Sequence, residues 1–371
     1  MRSAAPPANL GAVRIIRPGD EGRAVRDVQH RLAELGFRID AAELEGEYGP
    51  STERAVREFQ ERRNLPPDGL VGPDTWAELV EAGYRLGDRT LYLRSPAFRG
   101  DDVRELQRML NALGFDAGKE DGIFGRRTAD AAMEFQRNVA DKADGIVGFD
   151  TVRALERMRP PLDAPSRAMI REEEAVRTMD SSLAGSTIAI DPGHGVVDPG
   201  NRGRLGSTEA DVTFALAAGL ASALERRGAI PVLLRRRDED PDATERAHEA
   251  NALGAVVCIS LHLAAGEPDA AGATCSYWGT ATTHSPAGRR LAELIQGELV
   301  GRLGVADAGI QPLAISLLRE TRMPAVQVEP CHLTNEKEER LCSEEAFRRQ
   351  VGEAVAEAID RFLRADTQAD D

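Results

Sequence analysis

The feature that most constrains this chain is a duplication. Val25-Arg-Asp-Val-Gln29-His-Arg-Leu32-Ala-Glu-Leu35-Gly36-Phe37 recurs as Val103-Arg-Glu-Leu-Gln107-Arg-Met-Leu110-Asn-Ala-Leu113-Gly114-Phe115, at an offset of 78. Gly46, Gly49, Thr52, Phe59-Gln60, Gly69, Gly72 and Thr75 then reappear at Gly122, Gly125, Thr128, Phe135-Gln136, Gly145, Gly148 and Thr151. That second offset is 76, so the later copy has lost two residues between Phe115 and Gly122. Whatever the unit folds into, it folds twice. Val25, Val28, Leu32 and Leu35 share one helical face and Gly36 can close that helix. Pro50-Ser51-Thr52 opens a second helix and Pro73-Asp74-Thr75 a third. A unit of about 65 residues folds alone only marginally.

Arg159-Pro160-Pro161-Leu-Asp-Ala-Pro165 breaks the pattern, and the charged stretch Met169–Thr178 reads as a short helix in a linker. Beyond it, short apolar strands alternate with helices. Thr187–Asp191, Ala229–Arg235, Ala255–Leu261, Gly272–Trp278 and Pro324–Glu329 read as strands. Ala210–Arg227, Ala243–Leu253, Pro286–Leu303 and Glu344–Arg364 read as helices. The expected fold is multidomain: two small all-α three-helix modules, then an α/β domain with a mostly parallel sheet flanked by helices. The boundaries read as 14–83 and 91–158 for the modules, 159–185 for the linker, 186–364 for the α/β domain and 365–371 for a disordered acidic tail.

Composition removes several function classes. Acidic groups number 62 against 47 Lys+Arg, a formal charge of −15, which argues against a basic nucleic-acid footprint. The most apolar stretch, Ala252–Gly266, contains Ser260 and His262 and is too short to span a bilayer. The N-terminal residues lack the continuous apolar run of a signal peptide, so a cytoplasmic location is expected if the chain starts at its true start, and a cell-wall location if that start lies upstream. Cys258, Cys275, Cys331 and Cys342 all fall in the second half and are not expected to form a disulfide framework.

Of six histidines, five follow residue 190. His194 ends the first strand of the α/β domain in Asp191-Pro192-Gly193-His194-Gly195, and His262 ends the third in Ser260-Leu261-His262. Glu209 opens the helix after the first strand, and Glu329 closes the last strand. Singly, each has an ordinary structural reading: a capped histidine, a carboxylate at a helix N-terminus, an exposed strand edge. Together they stand at the ends of successive elements, where an α/β sheet gathers its site. Two imidazoles and one carboxylate make a catalytic zinc set, leaving a second carboxylate to act as base.

The repeat (V-x-x-Q-x-x-L-x-x-L-G, G-x-x-G-x-x-T, F-Q, D-G-x-V-G-x-x-T) resembles the peptidoglycan-binding three-helix module, which implies attachment to cell-wall glycan-peptide. Asp191-Pro-Gly-His194-Gly, Asp198-Pro-Gly200, Gly206-x-x-Glu209, Arg246 with Ala250-Asn251, Ser260-x-His262, Leu317-Leu-Arg319 with Met323-Pro-Ala-Val, and Glu329 with Leu333-Thr-Asn335 resemble the zinc-dependent N-acetylmuramoyl-L-alanine amidase family. The resemblance puts His194, Glu209 and His262 at the zinc-ligand positions and Glu329 at the general-base position. It implies hydrolysis of the lactyl–L-alanine amide of peptidoglycan. Four departures surround the site: Val196 for a glycine, Arg235 for a threonine, Ala264 for an asparagine, and Cys331-His332 for Gly-Phe. They leave open a second reading, a weakly active or inactive cytoplasmic scaffold of peptidoglycan synthesis, such as an unexported actinobacterial member of the family. A zinc carboxypeptidase fits the His/Glu/His set but not the surrounding motifs. Cys331 is expected to be a buried small hydrophobe sharing a strand face with Glu329, and His332 a structural residue. Partners are expected to be peptidoglycan or its precursors, with a protein partner conceivable through the repeats. Thr367-x-x-Asp370 in the tail resembles a phosphothreonine motif through which a forkhead-associated partner would dock.

Overall fold

The computed structural model describes residues 15–63, 65, 67–139, 142–158, 170, 172, 182–279 and 284–365. The linker stretch Met169–Thr178, apart from positions 170 and 172, and the tail with Thr367 lie outside the described residues. The chain divides into two compact units, Met1–Ala164 and Pro165–Asp371.

The first unit holds the two copies. Helices α1 (Arg23–Glu34), α2 (Pro50–Arg62) and α3 (Pro73–Glu81) form one three-helix module, and α4 (Asp101–Ala112), α5 (Arg126–Asn138) and α6 (Phe149–Arg157) the other. Each has its own core: Val28, Leu32, Phe59 and Leu79 in the first, Leu106, Leu110, Phe135 and Leu155 in the second. The repeated polar letters have one physical cause. The Gln107 amide donates to Asp121 Oδ1 (2.8 Å), Ile123 O (3.1 Å) and Thr128 Oγ1 (3.1 Å), and its oxygen accepts from Gly122 N (2.8 Å). Gln60 repeats the device on Asp68, Leu70, Thr75 and Gly69, and Gln136 on Ile146, Thr151 and Gly145. A buried glutamine thus ties each Gly-rich turn to the first residues of the next helix, satisfying backbone groups the turn would strand. Gln29 makes the donor half only, to Glu47 O and Thr52 Oγ1, and its oxygen has no hydrogen-bond partner among the described residues.

Ion pairs join the modules. Arg63 grips Asp101 in a bidentate pair (2.9 and 2.8 Å), while Arg89 bridges Glu81 (2.5 Å) and buried Asp102 (2.7 Å) and stacks on the Tyr84 ring. Gly100 lets the connection pass: its φ is +137°, and a Cβ there would lie 2.4 Å from Glu81 O.

The second unit is a six-stranded sheet in the order β2-β1-β3-β6-β4-β5. Its strands are β1 (Thr187–Pro192), β2 (Ile230–Leu233), β3 (Val257–Leu261), β4 (Ala273–Trp278), β5 (Asp307–Leu313) and β6 (Ala325–Glu329). Every neighbouring pair is parallel except β4–β6. Helices α7 (Glu209–Glu225), α9 (Pro286–Leu303) and α12 (Glu345–Ala365) bury one face over Ile188, Ile190, Ile259 and Val328. Helices α8 (Ala243–Ala252) and α10 (Ser316–Glu320) bury the other over Ala189, Cys258 and Trp278. The remaining helix, α11 (Glu336–Ser343), follows β6. The expected fold class is borne out.

Sequence reasoning missed β5, α10 and α11. Gly309 and Pro312 give β5 the look of a loop, but it lies at the sheet edge, where a proline breaks no ladder. Cys331 is buried, as expected, but neither on a strand nor a free thiol. β6 stops at Glu329, so no strand face carries on to Cys331, and the cysteine is disulfide-bonded to Cys342 because α11 folds back over the loop. Cys258 and Cys275 are free and buried.

The glutamine device makes a stability prediction. Gln107→Leu strands Gly122 N and Ile123 O, and at about 1–3 kcal/mol per unsatisfied group the second module should lose about 2–6 kcal/mol. Gln29→Leu should cost less, having no acceptor bond to lose. Calorimetry of the whole chain carrying each substitution checks the order.

Candidate metal centre

Three neighbouring parallel strands, β1, β3 and β6, end on one side of the sheet, and the site is built from the residues just past those ends. His194 follows β1 by two residues, His262 follows β3 directly, and Glu329 is the last residue of β6. Register sets their spacing: Pro192 pairs with Leu261 and Leu261 with Val328, and His262 N donates to Val328 O (3.0 Å). Glu209 comes from the N-terminus of α7, where Thr208 caps the helix by accepting from Asp211 N.

Glu209 is 1% exposed, and both its oxygens are engaged. Oε1 accepts from the His262 ring (Nδ1, 3.0 Å) and Leu263 N (3.0 Å). Oε2 accepts from Asn201 N (3.0 Å) and Nδ2 (2.7 Å) and lies 3.2 Å from His194 Nε2. Burial alone would raise the Glu209 pKa; the hydrogen bonds from His194, His262, Leu263 and Asn201 outweigh it and hold the carboxyl far below the usual range. One ligand atom from each of His194, Glu209 and His262 falls within 4.8 Å of the others. This is the donor set of a metal centre, two imidazoles and an ionised carboxylate, and it fits zinc.

His194 is the single non-glycine residue with a positive φ (61°) among those described. The turn aims its Nε2 at Glu209 while Nδ1 donates to Asp198 Oδ2 (2.8 Å), the outer carboxylate that fixes a ligating imidazole. The bond to Glu209 raises the His194 pKa to about 9, against burial and with help from Asp198. Two glycines make room. A Cβ on Gly193 would lie 2.4 Å from His262 Cε1, and one on Gly200 2.6 Å from His194 Cδ2.

Glu329 lies beside this set. Burial raises its pKa above the ordinary carboxylate value and the charge of Glu209 adds to the rise, while His262 and the Gln327 amide (3.2 Å) oppose it. Below the site, Asp191 accepts from Arg246 (2.7 Å) and Ser260 (2.6 Å). Helix α11 orders the surrounding loops. Glu339 accepts from Leu205 N and Ser207 N, and Glu338 from Gly272 N and His332 N.

Sequence reading named the four central residues but gave no role to Asp198, Asn201 or the two α11 carboxylates. Asp198 had a local signal, four residues after His194 in a Gly-rich turn. Glu339 had none, since it reaches back more than 130 residues. At 264 the main chain is tied to the loop after β6: Ala264 N donates to Cys331 O and Ala264 O accepts from Leu333 N. Arg235 stands where a threonine was expected and is buried among carbonyls beside the site.

A family model described as N-acetylmuramoyl-L-alanine amidase matches residues 188–361. One described as a putative peptidoglycan binding domain matches 21–79 and 99–155. The N-acetylmuramoyl-L-alanine amidase CwlM of Mycobacterium tuberculosis is 38% identical over 365 residues, covering 94% of this chain and 89% of that protein. The N-acetylmuramoyl-L-alanine amidase LytC of Bacillus subtilis is 30% identical over 186 residues, 50% of this chain and 37% of that one. The solved N-acetylmuramoyl-L-alanine amidase from Clostridium difficile 630 aligns over 47% of this chain and 95% of its own at 30% identity, with a TM-score of 0.45.

Two outcomes follow from the geometry. Gly193→Ala should displace the His262 ring and lower bound zinc well below one per chain, with an unchanged far-ultraviolet circular dichroism spectrum. In the apo-protein His194 titrates near 9, above its ordinary 6.5. Its stabilising charge is therefore fully present below pH 6.5 and lost as pH rises through about 9. The apo-protein should melt lower at about pH 10 than at about pH 6, and saturating zinc, which needs the imidazole neutral, should flatten that slope.

Proposed function

We propose that this chain, which belongs to the N-acetylmuramoyl-L-alanine amidase family, hydrolyses the amide between the lactyl group of N-acetylmuramic acid and L-alanine of the stem peptide. His194, Glu209 and His262 hold zinc, and the two modules grip cell-wall glycan-peptide. The observation that carries this reading is the convergence of two imidazoles and a buried carboxylate beside a second carboxylate with a raised pKa.

Zinc, when bound there, supplies Lewis acidity towards the scissile carbonyl and the attacking water. The remaining work falls to the chain. Glu329 takes the proton from water as its oxygen attacks the carbonyl carbon, then returns that proton to the alanine nitrogen as the C–N bond breaks. A raised pKa suits both halves of that exchange, because a carboxylate held near its usual value parts with a proton too readily to keep it for the leaving amine. Gln327 holds Glu329 Oε1, and Asp198 keeps the proton of His194 on Nδ1, leaving Nε2 as the donor to metal.

Of the departures around the site, the Arg235 side chain completes hydrogen bonds to main-chain carbonyls and Val196 is exposed.

The test is zinc-loaded protein on a muramyl-peptide fragment, assayed for free stem peptide. Glu329→Ala should keep one zinc per chain and lose activity about 100-fold or more. His262→Ala should bind well under one zinc. Wild-type turnover in Glu329→Ala would assign the proton transfer to another group.

A further inference from the structure

We propose that Arg235 is a positioning residue for the metal centre, a buried brace that ties the turn carrying His194 to the helix carrying Glu209. The proposal rests on the reading that those two residues hold the metal.

Arg235 lies two residues beyond the end of β2 and is 3% exposed. Its guanidinium makes its hydrogen bonds to main-chain carbonyls: Nε to Pro192 O (2.8 Å), Nη2 to Gly193 O (3.2 Å) and Ala210 O (3.1 Å), and Nη1 to Arg236 O (3.3 Å). Pro192 and Gly193 are the two residues before His194, and Ala210 is the residue after Glu209. One planar fork therefore spans both ligand-bearing segments. It makes no contact of this kind with the strand that delivers His262.

The mechanical effect is on one peptide plane. Gly193 O is held by Arg235 and by Thr213 Oγ1 (2.9 Å). Fixing that carbonyl fixes the plane linking Gly193 to His194, and so the left-handed φ of 61° that aims the imidazole. A non-glycine residue there carries backbone strain, which persists only where surroundings over-determine it. Without the fork, Gly193 O keeps only the bond from Thr213 Oγ1, and the hold on the φ of His194 is weakened.

The cost of the arrangement points the same way. A guanidinium buried without a carboxylate in ion-pair contact is expensive, and no such pair exists for Arg235 among the described residues. Asp191 is already taken by Arg246. An apolar side chain would fill this space without that penalty; Pro192 O would keep its bond from Arg246 Nη1 (3.2 Å) and Ala210 O its bond from Thr213 Oγ1 (3.2 Å), but the fork that adds a direct tie between the two segments would be lost.

The experiment compares wild type with Arg235→Met, similar in length but lacking donors, and Arg235→Lys, which keeps the charge but cannot span two segments. Zinc affinity is read by chelator competition, and coordination by the visible absorption of the cobalt-substituted protein. Arg235→Met should bind zinc about 10–100-fold more weakly, with a weaker cobalt band, and Arg235→Lys should recover only part of the loss. A merely structural arginine would lower the melting temperature without changing the cobalt spectrum. Wild-type affinity and spectrum in either folded variant overturns the brace. A wild-type protein that takes up no zinc overturns the metal centre itself, a different result from an intact centre indifferent to residue 235. If Arg235→Met does not fold, Arg235→Lys decides alone.

Discussion

The α/β unit turns on one buried carboxylate. Glu209 collects hydrogen bonds from Asn201, Leu263 and the two imidazoles, so it is the point at which the Gly-rich loop, the end of β3 and the start of α7 meet. An ionised carboxylate stripped of such partners costs several kcal/mol to bury, so these segments hold one another in place. Its position at a helix N-terminus adds a favourable dipole. The same electron-rich oxygens that order the loops are the ones a metal requires, so folding and metal binding draw on a single group.

The sheet supplies the scale. β1, β3 and β6 are adjacent and parallel, about 4.8 Å apart in the hydrogen-bonding direction, and three of the four central residues sit at or just past their ends. Lateral spacing at the site is thereby set by main-chain hydrogen bonds rather than by side-chain packing. What the sheet cannot set is the height and aim of His194, which leaves β1 two residues before the imidazole. That task falls to Asp198, Thr213 and the carbonyl contacts of Arg235.

Much of this was legible in the sequence where the signal is local. His194, His262 and Glu329 each follow a short apolar run, and Glu209 opens an apolar-periodic helix, so each could be placed at an element end. The duplication was visible as repeated letters. Its meaning was not, because a glutamine nine residues from the glycine it holds leaves no periodic trace. Long-range partners were hidden for the same reason: nothing near Leu205 announces Glu339, and nothing near Cys331 announces Cys342. Arg235 looked like the loss of a small hydroxyl, because a sequence displays the residue that changed and not the carbonyls it comes to serve. Strand β5 was obscured by its own glycine and proline, tolerated only because the strand lies at an edge.

The ion pairs between the two helical modules carry a consequence for recognition. Arg63 with Asp101, and Arg89 with Glu81 and Asp102, tie two similar domains together across their connection. A flexibly strung pair searches for its second foothold through a cloud of linker conformations. A locked pair has made that search in advance, so once one module is seated the other is either already opposite its target or barred from it. A tandem tied in this way offers its two faces at an interval set by the protein, a constraint that neither module carries alone.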